Sequence, residues 1–303
     1  MRISPDTSQM LLNALNAADL AEQTAMTQLT TGLRVNVASD DPSAAARQVG
    51  LAAQSDSCDQ FLRSISSVSS ELQTADSALN SGVTALQQAI TLGVEGANGT
   101  MSQQDRAALA SQVQNISQQM RDIANLSYNG KYVFAGTADS QPPYVADASA
   151  PGGIAYQGND SVNQVEVEAG QTVAVNQPGS QLFSAAGANV FQALSDLASA
   201  LQSSDSTSDD IANATNEVRA AYDQMNSARV FYGSTEDQLT STQDFLNSEK
   251  LELTQQTSDT VGVDADQAAT NLSNAEAARN AALQAAASLG NLSLFNYLTT
   301  PQS

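Results

Sequence analysis

The sequence has no histidine and no tryptophan, and only 5% of its 303 residues are aromatic. The single cysteine, Cys58, excludes an internal disulfide, and zinc binding is not expected without histidine. Only 11 residues are basic against 32 acidic ones, so the net charge is −21. Such a surface cannot displace the counterions of nucleic acid and is repelled by anionic lipid, so neither is an expected partner. We also expect no metal and no cofactor.

The N-terminus lacks the pattern of an ordinary secretory leader. Residues 1–23 contain no continuous apolar segment, and Asp6, Asp19 and Glu22 interrupt them. No other stretch approaches the length of a membrane span. These observations alone predict a cytoplasmic protein, or one exported by a route that cleaves nothing.

The apolar residues are mostly alanine, leucine and valine, which suit close helix packing. Residues 7–30 predict a thin amphipathic helix, because small apolar residues recur three and four apart. The last helix, predicted at about 264–290, is alanine-rich again. Burying alanine methyl groups contributes little free energy compared with the entropic cost of ordering two helices. We therefore expect both ends to be largely disordered in a free monomer and to order when neighbouring subunits add surface.

A long heptad-like helix is predicted over about 43–93. Apolar residues repeat every seven positions from Cys58 to Leu86, which favours a buried thiol over a reactive one. Ser69 and Asp76 interrupt the predicted companion seam of Leu62, Val83 and Ile90.

A second helix is predicted after the capping-box-like pair Ser102 and Asp105, and it stops at the turn signal Asn129-Gly130. The segment QVEVEAGQTVAVN then alternates about Ala169-Gly170, which predicts a β-hairpin. Heptad-like helices return after residue 184.

We predict a mainly α fold with a small β insertion: a long antiparallel, coiled-coil-like rod with the terminal helices paired at one end. The predicted terminal helical domain takes residues 1–45 and 261–303. A helical shaft takes 46–137 and 184–260, and a variable β-rich domain takes 138–183.

The segment TTGLRVNVASDDPSAAARQ, at residues 30–48, lies between two predicted helices. Asp41-Pro42 is typical of an N-cap followed by proline at the first helical position. A catalytic pair, Asp40 and Asp41, would need a cleft and a partner, and no histidine exists to share the work. Two interpretations remain: a bare helix cap, or a cap that also serves assembly because Arg34 and the aspartates brace a hinge.

The stretch LTTGLRVNVASDDPSAAA resembles the N-terminal signature of the bacterial flagellin superfamily. The opening MRIS, the segment YNGKYVFAGTADSQPPY and the ending LSLFNYL resemble the branch of that superfamily that joins hook to filament. Arg229, a few residues before Gly233, also matches a habit of the family. The resemblance covers residues 1–137 and 184–298.

The resemblance implies a structural subunit, and not an enzyme, at the extracellular hook–filament junction of the flagellum. It implies export through the flagellar type III apparatus, unfolded and without a cleaved signal. The implied partners are copies of itself in a ring, the first junction protein on the hook side, flagellin, and an export chaperone at the C-terminal helix. Terminal helices would line an inner tube. The expected assembly residues are Leu11, Ala14, Ala18, Ala21, Ala25, Arg34, Asp40, Asp41, Leu272, Ala275, Ala282, Ala286, Leu289, Leu292, Leu294, Phe295 and Leu298.

Three alternatives stay open: flagellin itself, another coiled-coil surface structural protein, and an enzyme without a visible catalytic constellation. The acidic run at 205–210 lacks the spacing of a calcium loop and is interpreted as solvated. The apolar cluster near the C-terminus either caps the last helix or packs on another subunit.

Overall fold

The computed structural model describes residues 5–298, with side chains described for residues 9–288. Within these ranges the chain is mainly helical with small antiparallel sheets, as predicted. The helices are α1 Pro5–Thr31, α2 Pro42–Gly96, α3 Gln103–Ala124, α4 Gly179–Leu182, α5 Val190–Gln202, α6 Ser208–Val261 and α7 Ala265–Leu298. The strands are β1 Ser127–Tyr128, β2 Lys131–Tyr132, β3 Tyr144–Ala146, β4 Ile154–Tyr156, β5 Gln164–Glu168, β6 Gln171–Ala174, β7 Ser184–Ala185 and β8 Ala188–Asn189.

The chain divides into two compact units. A terminal unit combines residues 1–57 with 248–303, and a central unit takes residues 58–247. The three-domain division drawn from the sequence stays a prediction. In the part of the chain that the structure describes, no helix has an apolar stretch long enough to cross a membrane.

In the terminal unit, α1 packs antiparallel against α7. The contact is lined by small buried side chains seven residues apart, which let two helices approach closely. They are Ala18 and Ala25 of α1 and Ala268, Ala275 and Ala282 of α7. Both predicted terminal helices are therefore present, and the described part of α7 runs eight residues beyond the predicted end.

In the central unit, α2 and α6 pack antiparallel along heptad seams. Leu72, Leu79 and Leu86 are buried as predicted, and Cys58 is buried with 5% exposure. The predicted companion seam on α2 is confirmed only at Ile90, which is buried, whereas Leu62 and Val83 are half-buried. The observed companions include Val68, Ala75 and Ala89, so Ser69 and Asp76 lie beside the seam rather than on it. Ala75 and Ala89 have no large side chain, so an apolar heptad pattern does not reveal their positions.

Gly82 shows why small residues are needed on that companion seam. A Cβ atom at Gly82 would lie 2.7 Å from the Met225 sulfur of α6 and 3.4 Å from the Met120 sulfur of α3. Three helices therefore meet at this glycine. They can approach closely because glycine stands where a leucine side chain would otherwise pack.

The end of α3 corrects a second expectation. The helix stops at Ala124, and Asn129-Gly130 forms the two-residue turn of the β1–β2 hairpin instead. Both turn residues have positive φ, 50° and 80°, as a type I′ hairpin turn requires. The predicted Ser102 cap is confirmed, since its hydroxyl accepts a hydrogen bond from the Asp105 amide.

The strands pair as four separate two-stranded antiparallel ribbons. The hairpin predicted about Ala169-Gly170 is β5–β6. A cluster of aromatic rings supplies much of the nearby core: Phe134 and Phe183 lie 5.3 Å apart, and Tyr144 lies 5.1 Å from Phe191. Both Asn125 side-chain groups bond to the Tyr144 backbone at 2.8 Å, which ties this core to the end of α3.

Candidate assembly site

Asp41 caps α2 at its N-terminus, as the sequence predicted. Its carboxylate accepts hydrogen bonds from the Ser43 amide at 3.1 Å and the Ala44 amide at 3.0 Å. The Ser43 hydroxyl donates a third, at 2.9 Å. The Ala44 amide, the Ser43 hydroxyl and the Arg34 guanidinium stabilise the anion, and they lower the pKa of Asp41 from 3.8 to about 2.

Arg34 connects this cap to the end of α6. Two guanidinium nitrogens lie 3.3 Å from Asp41 Oδ2, and Nη2 also donates to the Thr260 carbonyl at 3.0 Å. The backbone adds two further bonds between the same segments: Arg34 N to Val261 O at 2.7 Å, and Val263 N to Gly32 O at 3.1 Å. The loop after α1 is therefore fastened to the turn between α6 and α7.

Asp40 stabilises the loop before α2 and, unlike Asp41, does not cap the helix. Its Oδ2 accepts hydrogen bonds from the Asn36 and Val37 amides, both at 3.0 Å, and so closes the loop on itself. Each aspartate is thus held by backbone donors of its own segment. This arrangement gives both carboxylates a structural role at the loop, rather than the shared one of a catalytic pair.

A small apolar cluster lies with this loop. Val35, Ala44 and Val261 are buried together, and Leu33 and Ala45 pack against them. These residues come from the loop, from α2 and from α6, so the cluster joins all three segments. The hinge that the sequence suggested is a braced junction of hydrogen bonds, one ion pair and buried side chains.

The structure separates the predicted assembly residues of the terminal helices into three groups. Ala18, Ala25, Ala275 and Ala282 are buried between α1 and α7, and Leu11, Leu272 and Ala286 are half-buried. Ala14 and Ala21 are exposed. The side chains of five others lie outside those that the structure describes: Leu289, Leu292, Leu294, Phe295 and Leu298.

Sequence reasoning missed the polar contact within this helix pair. Arg279 of α7 lies 2.9 Å from Asp19 Oδ1 and 3.3 Å from Glu22 Oε2 of α1. Alanine side chains are too small to fix the register between two helices by themselves. An ion pair at one position along α1 and α7 favours one register over the others. The opposite charges on two helices were visible in the sequence, but their pairing was not.

Arg229 makes the corresponding contact in the central unit. Its Nε and Nη2 bond to the two oxygens of Asp76 at 2.8 and 3.1 Å, a two-pronged pair between α6 and α2. These bonds raise the pKa of the Arg229 guanidinium.

Among the described residues, no group of three or more acidic or cysteine side chains is arranged to hold a metal ion.

Two family models match this chain. One, described as the bacterial flagellin N-terminal helical region, matches residues 6–139, and one described as the C-terminal helical region matches residues 215–298. The chain belongs to the bacterial flagellin superfamily. Within it, the chain is similar to flagellar hook-associated protein 3: the Escherichia coli protein is 29% identical over 295 residues, which cover 88% of this chain and 90% of the relative.

The Salmonella typhimurium protein of the same name is 34% identical over 163 residues, 54% of this chain and 50% of that protein. Flagellin D of Vibrio anguillarum is 30% identical over 145 residues, covering 46% of this chain and 38% of the relative. The predicted resemblance to the hook-associated branch is therefore confirmed. The named relatives are structural flagellar proteins.

Solved structures agree with the fold. A flagellar hook-associated protein from Vibrio parahaemolyticus superposes with a TM-score of 0.69 at 20% identity, covering 74% of this chain and all of that one. Bacillus cereus FlgL gives a TM-score of 0.60 at 19% identity, covering 69% of this chain and 99% of that one. These matches confirm the mainly helical architecture.

The lowered pKa of Asp41 predicts an acid-dependent contribution to stability. A group whose folded pKa, about 2, lies below its usual 3.8 stabilises the fold above about pH 4, and that contribution is lost as the pH falls through about 2. Asp41→Asn should be less stable than the wild type near neutral pH, and the difference should shrink on acidification. Denaturant unfolding across that range measures it. Asp56→Asn, at an exposed position of α2, is the control; a constant Asp41 difference down to about pH 2 would contradict the prediction.

Proposed function

We propose that this protein is a structural subunit of the junction between hook and filament, assembled outside the cell through its terminal helices. Membership of the flagellin superfamily and similarity to hook-associated protein 3 along most of the chain support the place. The observation that carries the mechanism is the α1–α7 pair, whose buried seam consists largely of alanine.

The terminal pair leaves several large apolar side chains exposed. On α1, Met10, Leu12, Leu20 and Met26 are each more than half exposed. Ala14 and Ala21 lie exposed beside the buried alanines. Large apolar side chains on a thin helix are typical of surfaces that another molecule covers. We assign that cover to α1 and α7 of neighbouring copies, so that the subunits form a ring around an inner tube.

The braced loop gives the terminal helices a defined starting point. Arg34, Asp40 and Asp41 fix where α1 ends and α2 begins, and the bonds to Thr260 and Val261 fix the turn into α7. In the proposed assembly this loop holds both terminal helices in place while neighbours pack on them. The apolar C-terminal residues Leu289, Leu292, Leu294, Phe295 and Leu298 would add to the same contact.

The proposed partners follow from this position. One face of the ring would contact the first junction protein on the hook side, and the other would contact flagellin. Before assembly, the chain would leave the cell unfolded through the flagellar type III apparatus, with an export chaperone on its C-terminal helix. Nucleic acid and lipid membranes are not proposed partners, because the chain carries a net charge of −21.

Deletion of the gene tests the proposed place. Cells without the protein should keep a hook, lack a filament and release flagellin into the medium, and a plasmid copy should restore the filament. Electron microscopy and immunoblots of the medium measure both effects. If the protein were flagellin, the medium would contain no released filament protein. Normal filaments in the deletion strain would overturn the proposal.

Hydrogen exchange tests the proposed role of neighbouring subunits. Amides of residues 9–30 and 265–288 should exchange rapidly in dilute monomer and slowly in the assembled form, because the alanine seam alone buries little area. Amides of α2 near Leu79 and Leu86, which are fully buried in the central unit, provide the protected control. Strong protection of both terminal helices in the monomer would contradict this prediction.

A further inference from the structure

The dipeptide Asn-Gly occurs twice in the sequence, at Asn98-Gly99 and at Asn129-Gly130. Asparagine followed by glycine is chemically labile, because glycine has no Cβ to shield its backbone nitrogen from the neighbouring amide. The structure places the two pairs in exposed turns with different hydrogen bonding. One chain therefore contains two copies of the same labile group in two environments.

The side-chain carboxamide of Asn129 lies at the tip of the β1–β2 hairpin without a hydrogen-bond partner among the described residues. Asn129 and Gly130 form the two-residue turn between Tyr128 and Lys131, and both are exposed. Within residues 9–288, no hydrogen bond involves the Asn129 side chain, and the Gly130 backbone amide donates none to another backbone group. A Cβ atom built on Gly130 would meet nothing within 4 Å, so no neighbouring segment crowds this residue.

The Asn98 amide is held in place instead. Its Oδ1 accepts hydrogen bonds from the Thr100 backbone amide at 3.1 Å and from the Thr100 hydroxyl at 2.9 Å. The Met101 amide also bonds to the Asn98 carbonyl at 3.0 Å. To react, Asn98 would have to break two side-chain hydrogen bonds and rotate its carboxamide towards Gly99.

We propose that Asn129-Gly130 is a site of spontaneous deamidation in the folded protein and that Asn98-Gly99 is protected. The Gly130 nitrogen, after loss of its proton, attacks Asn129 Cγ. The new N–Cγ bond closes a succinimide ring, the Cγ–Nδ2 bond breaks, and ammonia leaves with the proton returned by water. Water then opens either carbonyl of the ring and gives aspartate or isoaspartate. No oxidant, cofactor or enzyme is needed.

The two products have different consequences for the hairpin. Asp-Gly suits a type I′ turn as well as Asn-Gly, so the aspartate product should keep the register of Tyr128 opposite Lys131. Isoaspartate inserts a methylene into the main chain of a two-residue turn, which cannot keep that register. Lys131 is paired with Asp139 at 3.0 Å, so loss of register would also disturb this contact.

The test incubates the purified full-length chain near neutral pH, then measures aspartate and isoaspartate at each site by mass spectrometry of tryptic peptides. Arg121 and Lys131 bound the peptide that contains Asn129, and Arg63 and Arg106 bound the one that contains Asn98. In the folded chain, deamidation at Asn129 should be at least about tenfold faster than at Asn98. A tenfold difference corresponds to about 1.4 kcal/mol in activation free energy. In urea the two rates should converge, because both are then unstructured Asn-Gly pairs.

Two variants separate environment from local sequence. Asn129→Gln should stop the reaction at the hairpin, because the longer side chain must close a less favourable ring. Thr100→Ala removes one hydrogen bond from Asn98 and should speed its deamidation while the Asn129 rate stays unchanged. Equal rates in the folded chain, a faster reaction at Asn98, or a rate difference that persists in urea would each overturn the proposal. None of these results depends on the proposed place of the protein in the flagellum.

Discussion

Phe183→Ala should lower the free energy of unfolding by about 3–5 kcal/mol, because it removes a large ring from a closed aromatic cluster. Phe183 is fully buried, and its ring lies 5.3 Å from Phe134, 5.6 Å from Tyr144 and 6.4 Å from Phe191. The expected cost combines the lost burial of the ring with the cavity left among its neighbours.

The chain provides a matched control for this substitution. Phe245 lies on α6 with 53% of its surface exposed, so Phe245→Ala should change the free energy of unfolding by about 0.5 kcal/mol or less. Both variants can be compared by denaturant unfolding followed by circular dichroism, with the transition of the central unit as the readout. A Phe183 variant within 1 kcal/mol of the wild type, on the order of a surface substitution, would show that the cluster is not a core.

Ala21→Asp should abolish filament formation while leaving the monomer intact. Ala21 is exposed on α1, so a carboxylate is solvated in the isolated chain. In the proposed tube the same position is covered by a neighbouring subunit, where an unpaired charge costs several kcal/mol even after relaxation. The expected phenotype is secretion of the variant and of flagellin, with hooks that bear no filament.

Asn115→Asp controls for the added negative charge. It adds the charge at an exposed position of α3, outside the helices proposed to assemble, and should leave motility near the wild-type level. Complementation of a deletion strain, scored by motility and by electron microscopy, compares the two variants. Normal filaments with Ala21→Asp would show that Ala21 and the exposed side of α1 around it do not contact a neighbouring subunit.

The local signals in the sequence were reliable where one residue type controls the backbone. Asp41 before Pro42 predicted a cap, and in the structure Ser43 and Ala44 donate three hydrogen bonds to that carboxylate. The long loop motif also identified the superfamily, because few chains share so specific a run of residues. Asn129-Gly130 was recognised as a turn, but it was assigned to a helix end rather than to the hairpin that it closes.

Packing between distant segments was harder to predict. Ile90 of the predicted companion seam of α2 is buried, but the seam was otherwise placed one residue too late, since Ala75 and Gly82 carry no large side chain to signal it. The alanine stripe of α1 was treated as one surface, yet Ala18 and Ala25 are buried while Ala14 and Ala21 are exposed. On an alanine-rich helix all faces look alike in sequence, so only the position of α7 distinguishes them.

The sequence by itself determined the helical periodicity, the caps and turns, the acidity and the superfamily, because each depends on residues close together in the chain or on composition. Only the tertiary structure decided which small residues meet. It showed that Arg34 reaches Thr260, that Arg279 lies near both Asp19 and Glu22, and that five aromatic rings form one cluster. Such contacts join residues far apart in the chain, and their partners are fixed by how whole helices pack rather than by any local pattern.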